Sequence, residues 1–202
     1  MNRRDLLKGS APMGASLLAT AAPAFAQQGS SPPTVLVAYH SVTGNTEKMA
    51  QGVAEGARTA GATVNLKRVG NVTADDLVTA DAITVGSPVY FANMAGEVKM
   101  FLDKMVREVQ PDPREPKLRN KVGAAFATGA SISNGKETTM LSILQAMLVI
   151  QMIVVSGGGA FGASATTGPD SPGIDDKELA TARDLGKRVA EIAVVIKRGS
   201  AT

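Results

Sequence analysis

The sequence predicts an α/β protein with one doubly wound parallel sheet and helices on both faces, a three-layer αβα arrangement. Three observations point to it. From Thr34 to Arg198, short apolar runs alternate with longer amphipathic ones, the signature of successive βαβ units. The first apolar run, TVLVAY, is apolar on both faces, as a strand between two helical layers must be. The 202-residue chain is 44% apolar but only 3% aromatic, so one sizeable core is aliphatic, made of Val, Ile, Leu, Ala and Met. No internal repeat or second domain is visible.

Residues 34–39 form the first strand. The loop Ser41-Val42-Thr43-Gly44-Asn45-Thr46 follows and opens a helix running to about Ala60, with Met49, Val53 and Ala57 on one face and Gly61 as its stop. Residues 62–69 read as the second strand. Thr73 caps a short helix to Ala80. Asp75 and Asp76 complement its dipole, as Asp175 and Asp176 do for the last helix, and neither pair reads as a metal or acid/base site. Residues 81–86 are the third strand. A helix from Met94 to about Glu108 turns Val98, Phe101, Leu102 and Met105 inward, and a Pro-rich charged loop spans 110–120. Residues 121–127 are the fourth strand, 137–149 an apolar helix and 152–155 the fifth strand. Residues 156–173 are Gly-rich and irregular. The final helix, 175–198, buries Leu179, Ala182, Leu185, Val189, Ala193 and Ile196. Met140, Met147 and Met152 read as core packing.

Residues 1–26 read as an export signal: Arg3, Arg4 and Lys8 give a basic start, a short apolar stretch follows, and Ala24-Phe25-Ala26 is a small-x-small cleavage site. NRRDLLK resembles a twin-arginine signal, which implies periplasmic localisation of a protein exported already folded. Residues 27–33 are a polar linker, and 34–198 the folded domain. Net charge is +3, but the leader holds three cations against one acid, so the remainder is close to neutral. That balance gives no argument for nucleic acid or an anionic membrane. With no cysteine, disulfides, thiol catalysis and thiolate metal sites are excluded. The single histidine, His40, does not indicate a Ser/His/Asp triad; it adjoins the first loop and reads as a strand-end residue or a contact to a ligand.

A strand, a loop of hydroxyls with one glycine, then a helix makes an anion cradle. Free N–H groups at the helix start point into the loop, and Ser41, Thr43 and Thr46 add hydroxyl donors. GxxxxGK[ST] and GxGxxG are both absent, so neither a triphosphate P-loop nor a dinucleotide fingerprint is present. A cradle without a cation suits a phosphate monoester; the alternative is an ordinary turn capped by Thr43 or Asn45.

SVTGNT resembles the phosphate loop of the flavodoxin-like flavoproteins, which bind FMN. Residues 86–96, GSPVYFANMAG, resemble the GTPxRFGNMxG segment of the WrbA group of NAD(P)H:quinone oxidoreductases within that family. Residues 128–139, TGASISNGKETT, end on the group's G-x-E-x-T pattern at Gly135, Glu137 and Thr139. The resemblance runs from Thr34 to Ala193. It implies a flavodoxin-like five-stranded parallel sheet in the order 2-1-3-4-5, with the ligand beyond the carboxyl ends of strands one, three and four. It implies FMN held by Ser41, Val42, Thr43, Gly44, Asn45 and Thr46 at the phosphate. At the ring it implies Pro88, Val89, Tyr90 and Phe91, together with Thr128, Gly129, Ala130, Ser131, Ile132 and Gly135. Pro88 stiffens the second turn; Tyr90 and Phe91 face the ring or anchor the core. The implied activity is NAD(P)H-dependent reduction of quinone-like acceptors, possible as a dimer or tetramer. The competing readings are a flavodoxin-type electron carrier with a protein redox partner, and a binding module that has lost FMN. No residue is assigned to catalysis and none to a metal.

Overall fold

The computed structural model describes residues 31–109, 116–168, 171 and 173–199. The expected signal peptide, most of the linker and part of the 110–120 loop lie outside the described residues. In chain order the elements are β1 (Thr34–Tyr39), α1 (Asn45–Thr59), β2 (Thr63–Arg68), α2 (Ala74–Thr79), β3 (Ala82–Tyr90), β4 (Asn93–Met94), α3 (Gly96–Val109), β5 (Val122–Gly129), α4 (Lys136–Val149), β6 (Ile153–Val154), β7 (Ala163–Thr166) and α5 (Asp176–Gly199).

Side chains alternate across a strand, and the sheet uses both faces. Val35, Val37 and Tyr39 of β1 pack with Met49 and Val53 of α1 and with Leu185 and Val189 of α5. Leu36 and Ala38 pack the other way, with Val98, Phe101 and Met105 of α3 and Met140, Ile143 and Met147 of α4. The layers are therefore α1 and α5 on one side, α2, α3 and α4 on the other.

The strands run β2-β1-β3-β5-β6, all parallel along this path. This is the expected order, but Met94, expected to open a helix, lies in β4, paired antiparallel with β3, and there are two further differences. The fifth position is shared: β6 pairs Val122 and Gly123, while β7 pairs Phe126 to Gly129 further along β5. Residues 163–166 were expected to be irregular. ASAT lacks the large β-branched run that marks a strand, and its pairing comes from β5 rather than from its own propensity. The second difference is β3, which continues through Ser87 and Pro88, paired to Ala127 and Thr128, instead of turning at Gly86. Pro88 is thus a strand residue and not the stiffener of a turn. It lies beyond Gly86, where pairing to β1 ends, and a half-paired strand tolerates proline.

Candidate functional site

Three loops meet at the carboxyl rim of β1, β3 and β5. In the first, Ser41 and Thr46 are buried and Val42 to Gly44 exposed. Gly44 is the N-cap of α1 at φ 88°, and no side chain caps this end, so neither Thr43 nor Asn45 acts as the cap. A Cβ on Gly44 would meet nothing within 4 Å. The glycine is therefore required by its left-handed backbone, and the space above it is open. The first bond into the helix is Lys48 N–H to Gly44 C=O at 2.9 Å. The amides of Asn45, Thr46 and Glu47 consequently have no carbonyl one turn behind them. Gly44 N–H donates to Ser41 Oγ at 3.1 Å, and Asn45 Nδ2 to Thr43 Oγ1 at 3.2 Å.

The loop is braced from outside. Arg68 donates to Ser41 C=O at 2.6 Å and to Glu47 at 2.5 Å, and its guanidinium lies 5.5 Å from the Tyr39 ring centre. Tyr39 donates to Glu47 Oε1 at 2.8 Å. Burial pushes the Tyr39 phenol up, and the adjacent Glu47 carboxylate pushes it further.

The second loop is a two-residue hairpin between β3 and β4, with Tyr90 paired to Asn93. Phe91 (φ 48°) and Ala92 (φ 64°) both take positive φ, as a type I′ turn demands. Neither is Asn or Gly, so the turn carries strain of about 1–3 kcal/mol per residue. Phe91 is fully exposed and Tyr90 is 43% exposed, so Phe91 is no core anchor. Behind them the buried Ser87 hydroxyl donates to Pro88 C=O at 2.7 Å and accepts from Ala95 N–H at 2.9 Å.

The third loop leaves β5 at Thr128 and Gly129. Ala130, Ser131, Ile132 and Ser133 are exposed, and Gly135 (φ 97°) is the N-cap of α4. A Cβ on Gly135 would lie 2.6 Å from Ala92 O, so only glycine lets the second and third loops touch. The first and third are joined by Thr46 Oγ1 and Thr128 Oγ1, 2.8 Å apart and buried. The Asn134 side chain, with its amide oriented to satisfy its neighbours, donates to Ser131 C=O and accepts from Ala130 N–H.

The structure therefore brings the sequence-derived residues of all three loops to one rim. Of the G-x-E-x-T trio, Thr139 instead points into the core, with no partner for its hydroxyl. His40 lies at the edge of a cavity of about 380 Å³ between residues 69–71 and α3. Its Nε2 is 3.6 Å from Glu97 Oε2 and has no hydrogen-bond partner. Sequence reasoning missed Ala92, because nothing in the triplet Phe-Ala-Asn announces a type I′ turn. It also missed Lys136, since a lysine opening a helix reads as solvated. Among the described residues no cluster of His, Cys, Asp or Glu is placed to hold a metal ion, and no helix is long and apolar enough to cross a membrane.

Comparison with known proteins gives the family and fold of the chain. The profile of the family described as NADPH-dependent FMN reductase matches residues 71–167. The chain is 37% identical over 196 residues to a protein named NAD(P)H dehydrogenase (quinone) from Rhodopseudomonas palustris (strain HaA2), covering 79% of this chain and 96% of that one. A protein of the same name from Archaeoglobus fulgidus is 35% identical over 193 residues, with the same coverage. Among solved structures, a WrbA-like flavodoxin from Agrobacterium tumefaciens superposes with a TM-score of 0.68 at 28% identity, covering 81% of this chain and 98% of that one.

Proposed function

Because the chain belongs to the WrbA-like NAD(P)H dehydrogenase (quinone) family, we propose that it is an FMN-dependent oxidoreductase that takes hydride from NAD(P)H and reduces a quinone-like small molecule. One observation carries the reading. Each of the three loops puts a large apolar side chain into solvent at the same rim: Val42 (71% exposed), Phe91 (106%) with Tyr90, and Ile132 (71%). Exposed apolar groups converging around fixed N–H donors fit a flat heterocycle that has one apolar face and one polar edge.

The residues present fit FMN. Its phosphate suits the open space over Gly44, the free amides of Asn45, Thr46 and Glu47, and the hydroxyls of Ser41, Thr43 and Thr46. Val42 and Asn45 complete that loop. Pro88, Val89, Tyr90 and Phe91 would wall the ring. Thr128, Gly129, Ala130, Ser131 and Ile132 would present backbone donors to it, with Gly135 holding their loop against the hairpin. Bound FMN supplies two-electron, hydride-accepting chemistry that no side chain here offers. The protein's own contribution would be placement: the three loops would bind and orient the ring, with the exposed Val42, Tyr90, Phe91 and Ile132 giving it apolar contact. Anaerobic addition of NADH or NADPH to the FMN-loaded protein tests this. Rapid bleaching of the flavin band without a protein partner is expected, with colour returning on quinone addition. A flavin that bleaches only with a second redox protein points to an electron carrier.

The protein acts in the periplasm, exported folded with FMN already bound through the leader at 1–26, and 34–198 is its one domain. The paired Arg3 and Arg4 and the AFA site support this. Replacing both arginines by lysine is expected to leave the precursor in the cytoplasm; unchanged periplasmic yield contradicts it. A homo-oligomer, dimer or tetramer, fits the apolar residues left on the outside of α4, Leu141, Leu148 and Val149. Light scattering of the mature protein tests this, and a monomeric mass at all concentrations contradicts it.

A further inference from the structure

Lys136 occupies a position that ordinary stability does not explain. It is the first residue of α4 and only 4% exposed. A cation at a helix N-terminus opposes the dipole, and a buried ammonium loses its hydration. Among the described residues its Nζ pairs with no carboxylate. It donates to three neutral oxygens instead: Ser131 C=O at 2.7 Å, Ile132 C=O at 3.0 Å and Thr166 Oγ1 at 3.0 Å. The nearest acid in this network is one residue removed: Glu178 Oε1 accepts from Thr166 N–H at 2.8 Å, and its Oε2 is buried without a partner.

The consequence for the third loop follows from peptide geometry. In a planar trans peptide the C=O and the next N–H point opposite ways. With the carbonyls of Ser131 and Ile132 drawn inward to Lys136, the N–H groups of Ile132 and Ser133 are turned outward, along a stretch that is itself exposed. A buried positive charge then stands behind two outward donors.

We propose that Lys136 is a positioning residue for the flavin, fixing the outward amides of the third loop and biasing the bound cofactor toward its reduced, singly negative form. This rests on the FMN-binding reading above. Hydride transfer adds two electrons and one proton to a neutral ring and leaves it with one negative charge. A fixed cation behind the donors favours that product over the oxidised ring.

The test is the two-electron midpoint potential of bound FMN, measured anaerobically against a reference dye with dithionite as reductant, together with the Kd of oxidised FMN from fluorescence quenching. Lys136→Gln keeps an amide NH2 donor group and removes the charge. It is expected to lose about tenfold of the preference for reduced over oxidised FMN, which lowers the midpoint by about 30 mV. Lys136→Arg is expected to stay within threefold of wild type. Glu178→Gln removes the second-nearest charge of the network, leaves an acceptor for Thr166 N–H, and is expected to raise the midpoint. It decides the matter alone if Lys136→Gln does not fold. A Lys136→Gln protein that binds FMN with an unchanged midpoint overturns the proposal, as does a Glu178→Gln midpoint that is unmoved or lower. A wild-type protein that binds no FMN overturns the proposed function, and this inference with it.

Discussion

The hydroxyls of Thr46 and Thr128 lie 2.8 Å apart across 82 residues of sequence, and both side chains are buried. This bond ties the start of α1 to the end of β5, and so sets the spacing between the loop suited to phosphate and the loop suited to the ring. Replacing Thr128 by Val leaves the Thr46 hydroxyl buried and unpaired, at an expected cost of about 1–3 kcal/mol in urea unfolding. Thr46→Val is expected to cost a similar amount. The double variant is expected to unfold with less than the sum of the two, because no orphaned group remains. The double variant is still expected to bind FMN more weakly than wild type, since Thr46 no longer offers a donor.

Ala92 sits at φ 64° in a turn that favours glycine. Ala92→Gly is expected to raise stability by about 1 kcal/mol, or about 2–4 °C in Tm for a domain of this size. An unchanged or lower Tm shows that the side chain of Ala92 contributes more by contact than its backbone costs.

Gly135→Ala has the opposite sign. Its φ of 97° and the 2.6 Å approach of Ala92 O leave no room for a methyl group. Loss of at least about 1–3 kcal/mol is expected, with FMN affinity falling further than stability because the second and third loops separate.

Asp76 gives a pH dependence with a definite sign. Lys67 Nζ reaches its two oxygens at 2.7 and 2.8 Å, and Thr73 N–H and Oγ1 both donate to Oδ2 at 2.8 Å. The Lys67 ammonium, then the Thr73 amide, hold its carboxyl below the usual carboxylate value. Because the folded value is depressed, the stabilisation is fully present above the unfolded value of about 3.9 and fades as pH falls below it. The difference in urea midpoint between wild type and Asp76→Asn is therefore expected to be largest near neutrality and to shrink below pH 4. A difference independent of pH rules this out.

Most of the layer plan was legible because period and burial coincide in this chain: TVLVAY has no polar face, and every helix face expected to be inward is. The Thr73 cap was legible for the same local reason, a hydroxyl three residues ahead of an acid, and the structure completes it as a reciprocal capping box. What escaped the sequence depends on partners distant in the chain. Residues 163–166 are a strand because β5 continues past β6 and needs pairing. Phe91 and Ala92 bend as a hairpin because Ser87 holds the turn from behind. Lys136 is buried because three oxygens from two other segments converge on it. The loops themselves were readable as strings, but their mutual contacts, Thr46 with Thr128 and Gly135 with Ala92, have no local signature.

Central to everything above is that three loops at one rim jointly hold FMN. The most direct measurement is titration of FMN into the purified mature protein, followed by flavin fluorescence and by thermal melting. The expected result is quenching that saturates at one FMN per chain, a higher melting temperature, and both effects reduced in Gly135→Ala. Unquenched fluorescence and an unmoved melting temperature at saturating FMN contradict it.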